Sequence, residues 1–171
     1  FLSKIIEKAG KLRLDAHFTS NELYNKFQSA YTKFHSTESA LLALHDHLIR
    51  AISQQQITCL SLLDLSAAFD TIDHTILLNR LQTWFGLQGT ALSWFKSYLT
   101  SRTFSVLTNG KKSAMHHVTC GVPQGSVLGP LLFCIYTTPL SHLLSNSEIL
   151  HRLYADDTQL FISFSPSVFS S

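Results

Sequence analysis

Apolar residues recur at helical spacing at Leu41, Leu44, Leu48 and Ile52. Ser36 stands ahead of them as an N-cap with Glu38 in the first turn, so the pattern predicts a helix. Asp46 precedes Arg50 by four residues, the supportive order for an ion pair on a helix. From Ile57 to Leu65 the apolar positions run almost unbroken, with Asp64 near the far end. That is the pattern of a buried strand with a functional edge. Asp73 predicts the cap of a second helix through Ile76, Leu77, Leu81 and Trp84, stopped near Gly86. Thr90 predicts the cap of a third, with Leu92, Phe95 and Leu99 on one face.

The pattern then changes period. Phe104 to Thr108 reads as a strand, Asn109-Gly110 as a hairpin turn, and Ala114 to Thr119 as the return strand. A glycine-rich stretch, CGVPQGSVLGP from Cys120 to Pro130, leads into an apolar helix through Leu131, Leu132, Ile135 and Tyr136. Pro130 is tolerable in that helix's first turn. The last unit, ILHRLYADDTQLFISF from Ile149 to Phe164, places two apolar segments around Asp156-Asp157 and predicts a hairpin with two acids at its tip. Ser163 to Ser171 is serine-rich and reads as the start of a loop or linker. Strands, hairpins and helices interleave in this way in an α+β fold, an antiparallel sheet with helices packed on one face.

Composition narrows the class. In 171 residues, 45% are hydrophobic and 14% charged, which marks a globular chain and excludes a disordered one. The net charge of +2 is low for a dedicated nucleic-acid binder, although a polymerase core, which holds acids at its centre, tolerates it. Cys59, Cys120 and Cys134 are odd in number and form no CxxC, which points to reduced, mostly buried thiols in an intracellular protein. The pairs His45/His47 and His116/His117 have no cysteine pair at zinc-site spacing. No apolar run approaches the ~18 residues of a membrane span, and charges within residues 1–14 exclude the h-region of a signal peptide. With Phe1 first and Met115 the sole methionine, the chain reads as a fragment.

Three features call for one explanation: Asp64 ending a strand, Asp156-Asp157 at a hairpin tip, and the glycine-rich stretch between them. A carboxylate at the end of an apolar strand is costly unless compensated. Neighbouring strands lie ~4.8 Å apart, so pairing the first strand with the last hairpin brings these carboxylates together, where they repel. A divalent cation removes the conflict. Two cations ~3.5–4 Å apart, bridged by shared carboxylates, serve phosphoryl transfer, and magnesium suits hard oxygen ligands. Each piece alone has a plainer reading: a solvated turn, an N-cap, a loop.

In order, the pieces resemble a known family. LLDLSAAFD (Leu62 to Asp70) resembles motif A of reverse transcriptases, GVPQGSVLGP (Gly121 to Pro130) motif B, and YADD (Tyr154 to Asp157) motif C. DTIDHTILLNRL, WFKSYLTSRT and the fingers-like FQSAYTKFHSTESALL (Phe27 to Leu42) are similar to the non-LTR retrotransposon branch, the long interspersed elements. The resemblance implies a polymerase palm with part of the fingers: 1–56 partial fingers, 57–164 palm, 165–171 a tail or linker. Thumb and endonuclease regions are expected elsewhere in the element. It implies RNA-directed DNA polymerase activity, with two Mg2+ ions on Asp64, Asp156 and Asp157 as catalytic and metal-binding acids. An RNA template, a DNA primer and deoxynucleoside triphosphates are the implied partners, with no membrane, and a functional element works in the nucleus. Lys33, Phe69, Gln124 and Gly125 match nucleotide-binding positions. Phe69, five residues after Asp64, matches the bulky sugar gate. Gln124 and Gly125 match residues beside nucleotide and template, where glycine allows close backbone approach. Lys33 matches a triphosphate contact, and it is the one cation there because Thr32 replaces the family's usual arginine. Asp70 and Arg102 carry no assigned role. Phe69 also reads as a core aromatic and Lys33 as an exposed lysine. The alternatives for the whole are a catalytically inactive remnant or co-opted nucleic-acid-binding module, and a metal-dependent phosphohydrolase, which leaves Phe69 and Gln124 unexplained.

Overall fold

The structure, a computed structural model, describes residues 2–166. In chain order the elements are α1 (Leu2–Ser20), α2 (Thr37–Ser53), β1 (Ile57–Leu63), α3 (His74–Thr83) and α4 (Gly89–Leu99). They continue as β2 (Thr103–Phe104), β3 (Leu107–Thr108), β4 (Lys111–Lys112), β5 (His116–His117), α5 (Gly129–Ser145), β6 (Leu150–Tyr154) and β7 (Asp157–Phe164). The chain gathers into two compact units. One takes the chain up to Tyr24 and Ala67–Tyr136; the other takes Asn25–Ser66 and the chain from Thr137 onward.

In the first unit the largest fully buried side chains are Phe18, Ile72, Leu77, Leu81, Leu99, Leu128, Leu132, Phe133 and Ile135. Each removes an apolar side chain from water, about 1.5–3 kcal/mol apiece. Asp73 caps α3 as its sequence signals, its carboxylate accepting from the Ile76 amide at 2.8 Å. The expected Thr90 cap is corrected: α4 begins at Gly89 behind Gln88, which makes no side-chain cap bond. Left-handed Gly89 (φ 55) makes the entry turn, so the helix starts ahead of the threonine. Helix α1 carries no clear apolar period because charge interrupts it; it buries Glu7, Leu14 and Phe18. The Asn109-Gly110 turn forms with both residues at positive φ (49 and 73), as a type I′ hairpin requires. Its strands are shorter than expected. They pair as β3 with β4 and β2 with β5, with Ser113 between, so the return strand Ala114 to Thr119 reduces to His116–His117.

In the second unit an antiparallel sheet runs in the order β1-β7-β6. Ser36 caps α2 through a capping box with Ser39. The Asp46–Arg50 pair forms at 2.9 Å, on an exposed face where its worth is small. α2 buries Ala40, Leu44 and Ala51, while Leu41 and Ile52, expected on the buried stripe, face solvent. α2 packs against β1 and β6.

The expectation that Ile57 to Leu65 is buried is corrected: Leu60, Leu62 and Leu63 are exposed. β1 is an outer strand of this sheet, with β7 its one strand neighbour among the described residues. The serine-rich tail begins later than read, since β7 carries Ser163, which hydrogen-bonds Thr58 and His47; residues 167–171 lie outside the described residues. The thiols are also less buried than expected, for Cys59 and Cys120 are exposed and none of the three joins a disulfide. Cys134 is the sheltered one, and burial pushes its thiol up to about 12. Among the described residues no helix is long and apolar enough to cross a membrane.

Candidate active site

The acid-bearing hairpin is set by a two-residue turn. Tyr154 pairs with Asp157, leaving Ala155 and Asp156 as the loop. Ala155 takes the left-handed conformation (φ 56), which matches the right-handed twist of the flanking strands. Asp156 is half-buried in this turn, and Asp157 is exposed as the first residue of β7. Thr158, next to it, is buried and pairs with Leu63 of β1. Asp64 follows Leu63 and Asp157 precedes Thr158, so both acids lie just beyond the last pair of this register, at the same end of the strands. Two strand ends and one turn therefore bring the backbone of all three acids to one end of one sheet. Their carboxylates are hard oxygen donors, the chemistry a magnesium ion takes. Among the described residues, however, no group of three or more His, Cys, Asp or Glu side chains is gathered as a metal centre.

The start of the fingers-like stretch, where the sequence reading gave Gln28 no role, holds the turn. Ser29 donates its amide to the Leu153 carbonyl at 2.9 Å, and the Leu153 amide returns to the Phe27 carbonyl at 2.8 Å. Gln28, between them, is 4% exposed, and its side chain binds both the N–H and the C=O of Ala155. No period or charge pattern marks Gln28; only its place inside the fingers-like stretch does. Phe27 lies on the His151 ring at 4.1 Å. Burial holds the His151 imidazole below the ordinary histidine value, partly offset by a backbone hydrogen bond at Ile149. Lys33 belongs to the same unit, exposed and 4.8 Å above the Phe34 ring. Thr32 spends its hydroxyl on the Gln28 and Ala30 carbonyls.

The other motif residues lie in the first unit, where the second half of motif A and the start of motif B clasp each other. The Val122 amide donates to the Phe69 carbonyl at 2.9 Å, and the Gly121 amide to the Ile72 carbonyl at 2.7 Å. His74 Nε2 bonds the Gly121 carbonyl at 2.7 Å. A Cβ on Gly121 (φ 84) would meet the Asp70 carbonyl oxygen at 2.9 Å, so glycine is required there. The close approach expected at Gly125 is to nucleotide and template; within the protein Gly125 has a φ of 73, and a Cβ there meets nothing within 4 Å. Gln124 donates from Nε2 to both carboxylate oxygens of Asp70, at 3.3 and 3.2 Å. Phe69 is half-buried and stacked on Phe133 at 4.9 Å. Arg102 lies 5.4 Å from the Tyr98 ring. Glu7 is buried and accepts from the Val127 amide at 2.6 Å and from Leu128 at 3.3 Å, bracing the loop from α1. A groove of about 720 Å³ between α1 and α4, lined by Leu14, Trp94 and Phe95 among others, holds no acid.

The family profile described as "Reverse transcriptase (RNA-dependent DNA polymerase)" matches residues 1–168. The chain belongs to the reverse transcriptase family. Among curated relatives, the probable RNA-directed DNA polymerase from transposon BS of Drosophila melanogaster is 30% identical over 95% of the chain. The RNA-directed DNA polymerase from mobile element jockey of the same species is 32% identical over 92%. Both agree with the resemblance to the non-LTR retrotransposon branch. The chain spans 18% of the length of each. The telomerase from Candida albicans, solved with a fragment of telomeric RNA, superposes with a TM-score of 0.64 at 15% identity, covering 99% of this chain and 31% of that one. Apo telomerase from Candida tropicalis, truncated from its C-terminal domain, gives 0.65 at 14% identity, covering 95% and 34%. At such identity these neighbours speak for the reverse transcriptase fold, and they bear out the α+β reading.

Proposed function

We propose that this chain carries the catalytic acids of an RNA-directed DNA polymerase, and that Asp64, Asp156 and Asp157 hold two magnesium ions. The observation that supports it most is the seating of the YADD turn at the end of β1, within a chain of the reverse transcriptase family. When bound, the metal pair would activate a primer 3′-OH and stabilise the leaving pyrophosphate oxygen. The chain's own part is to hold three carboxylates at the mouth of one sheet, to keep the turn rigid, and to present the motif B loop braced by Asp70 and Glu7. Preorganised charge of this kind supplies most of the acceleration in phosphoryl transfer. On the motif match, Phe69 acts as sugar gate, Gln124 and Gly125 lie beside the nucleotide, and Lys33 contacts the triphosphate. RNA template, DNA primer and deoxynucleoside triphosphates are the proposed partners.

The test is primer extension on an RNA template by the complete reading frame that encodes this chain, with magnesium, against Asp156→Asn. Extension that Asp156→Asn abolishes supports the reading. One observation favours the second reading, a nucleic-acid-binding module without catalysis: the acids are not gathered as a centre in the described residues. That reading gains if the wild-type frame retains RNA yet extends no primer.

A further inference from the structure

The Gln28 side chain makes three hydrogen bonds, all within one unit of the fold. Its Oε1 accepts from the Ala155 amide at 2.9 Å and from the Ala30 amide at 2.9 Å, and its Nε2 donates to the Ala155 carbonyl at 3.2 Å. Two N–H groups facing one atom fix which end of the amide is oxygen, because the flipped amide would set donors against donors. Ala155 is the left-handed residue of the acid turn and directly precedes Asp156. A non-glycine residue at positive φ is strained and persists where its surroundings over-determine it. Gln28 supplies that restraint on both backbone polar groups of Ala155, one on each side of its left-handed Cα. The backbone bridges of Phe27 and Ser29 to Leu153 fix where Gln28 starts from.

We propose that Gln28 is a positioning residue for the catalytic turn, its buried amide clamping Ala155 so that Asp156 and Asp157 are presented in one fixed arrangement. The inference rests on the metal-holding role proposed for those acids. The residue type follows from the geometry. Asparagine is one methylene too short. Glutamate keeps both accepted bonds but has no donor for the Ala155 carbonyl. Methionine matches the length and makes none of the three bonds.

The experiment uses this chain labelled with 15N, as wild type, Gln28→Met and Gln28→Glu. Amide exchange at Ala155 should rise about tenfold in Gln28→Met, the population change that one lost hydrogen bond produces, with Gln28→Glu intermediate. Exchange at Phe161 and Ile162, in the middle of β7, should stay unchanged. In the complete reading frame, Gln28→Met should raise the magnesium concentration for half-maximal primer extension while KM for template–primer holds. Unchanged Ala155 exchange in Gln28→Met overturns the proposal. So does a rise spread evenly along β6 and β7, the mark of a general sheet stabiliser. In a frame that extends primers, lost Ala155 protection with an unmoved magnesium midpoint overturns it as well. If the wild-type frame extends no primer while Gln28→Met exposes Ala155 selectively, the clamp stands and the polymerase reading is what fails.

Discussion

Replacing Gly121 by alanine tests the clasp between motifs A and B. The new Cβ would sit 2.9 Å from the Asp70 carbonyl oxygen and 3.0 Å from its Cα, both backbone atoms that cannot swing aside. The φ of +84 adds left-handed strain, about 1–2 kcal/mol for a residue with a Cβ. Relieving the clash means drawing the start of the motif B loop away from Asp70. That stretches the Gly121–Ile72 and Val122–Phe69 hydrogen bonds, each worth about 0.5–1.5 kcal/mol net. Together these give about 3 kcal/mol for Gly121→Ala. Gly125→Ala is the internal control, since it carries a similar φ of +73 with nothing within 4 Å of the added atom, and should cost about 1–2 kcal/mol. Trp84 and Trp94, the two tryptophans of the sequence, both belong to the unit that holds Gly121, so urea unfolding followed by tryptophan fluorescence reads the right part of the chain. With a urea slope of about 2 kcal/mol per M, the two variants should differ by about 0.5–1 M in midpoint. Equal midpoints would refute the close approach and leave φ as the sole demand at both glycines.

Other measurements bear on separate parts of the structure. Burial lowers the His151 pKa, so below the unfolded value of ~6.5 the unfolded chain takes up a proton that the folded chain resists. Stability should therefore fall as pH drops through that value and level off below the folded pKa; His151→Leu should flatten the slope between about pH 7 and 5, and a slope unchanged in the variant assigns it to other groups. Asp73→Ala removes the cap bond to Ile76 and should cost about 1 kcal/mol by the same fluorescence assay, with Asp73→Asn nearly neutral; equal losses would show that the cap bond is not what counts. Phe69→Val in the complete reading frame should raise the ribo-to-deoxy ratio of kcat/KM. An unchanged ratio with a lowered Tm would make Phe69 a core residue stacked on Phe133.

By itself the sequence determined the features set by residues within about four positions of one another. The Ser36 and Asp73 caps, the Asn109-Gly110 turn and the Asp46–Arg50 pair are local hydrogen bonds and local dihedral preferences, and each stands where its residue types place it; the YADD hairpin also forms, but its turn falls on Ala155 and Asp156, one residue ahead of the expected acid pair. Motif order determined the family for a related reason, because three short local signatures are read directly from the chain. What only the tertiary structure decided joins residues far apart. Gln28 reaches Ala155 across 127 positions, and Glu7 reaches Val127 across 120. Neither contact leaves a period in the sequence, since a single polar residue reads the same there whether it clamps a turn or points to water. Burial was decided there too. β1 has the composition of an interior strand yet lies at the outer edge of its sheet, because apolar content records how a strand would gain by being covered and not what arrives to cover it. The need for glycine at Gly121 and the open space at Gly125 differ for the same reason. Both look alike in a glycine-rich string, and only the backbone of Asp70, folded against one of them, tells them apart.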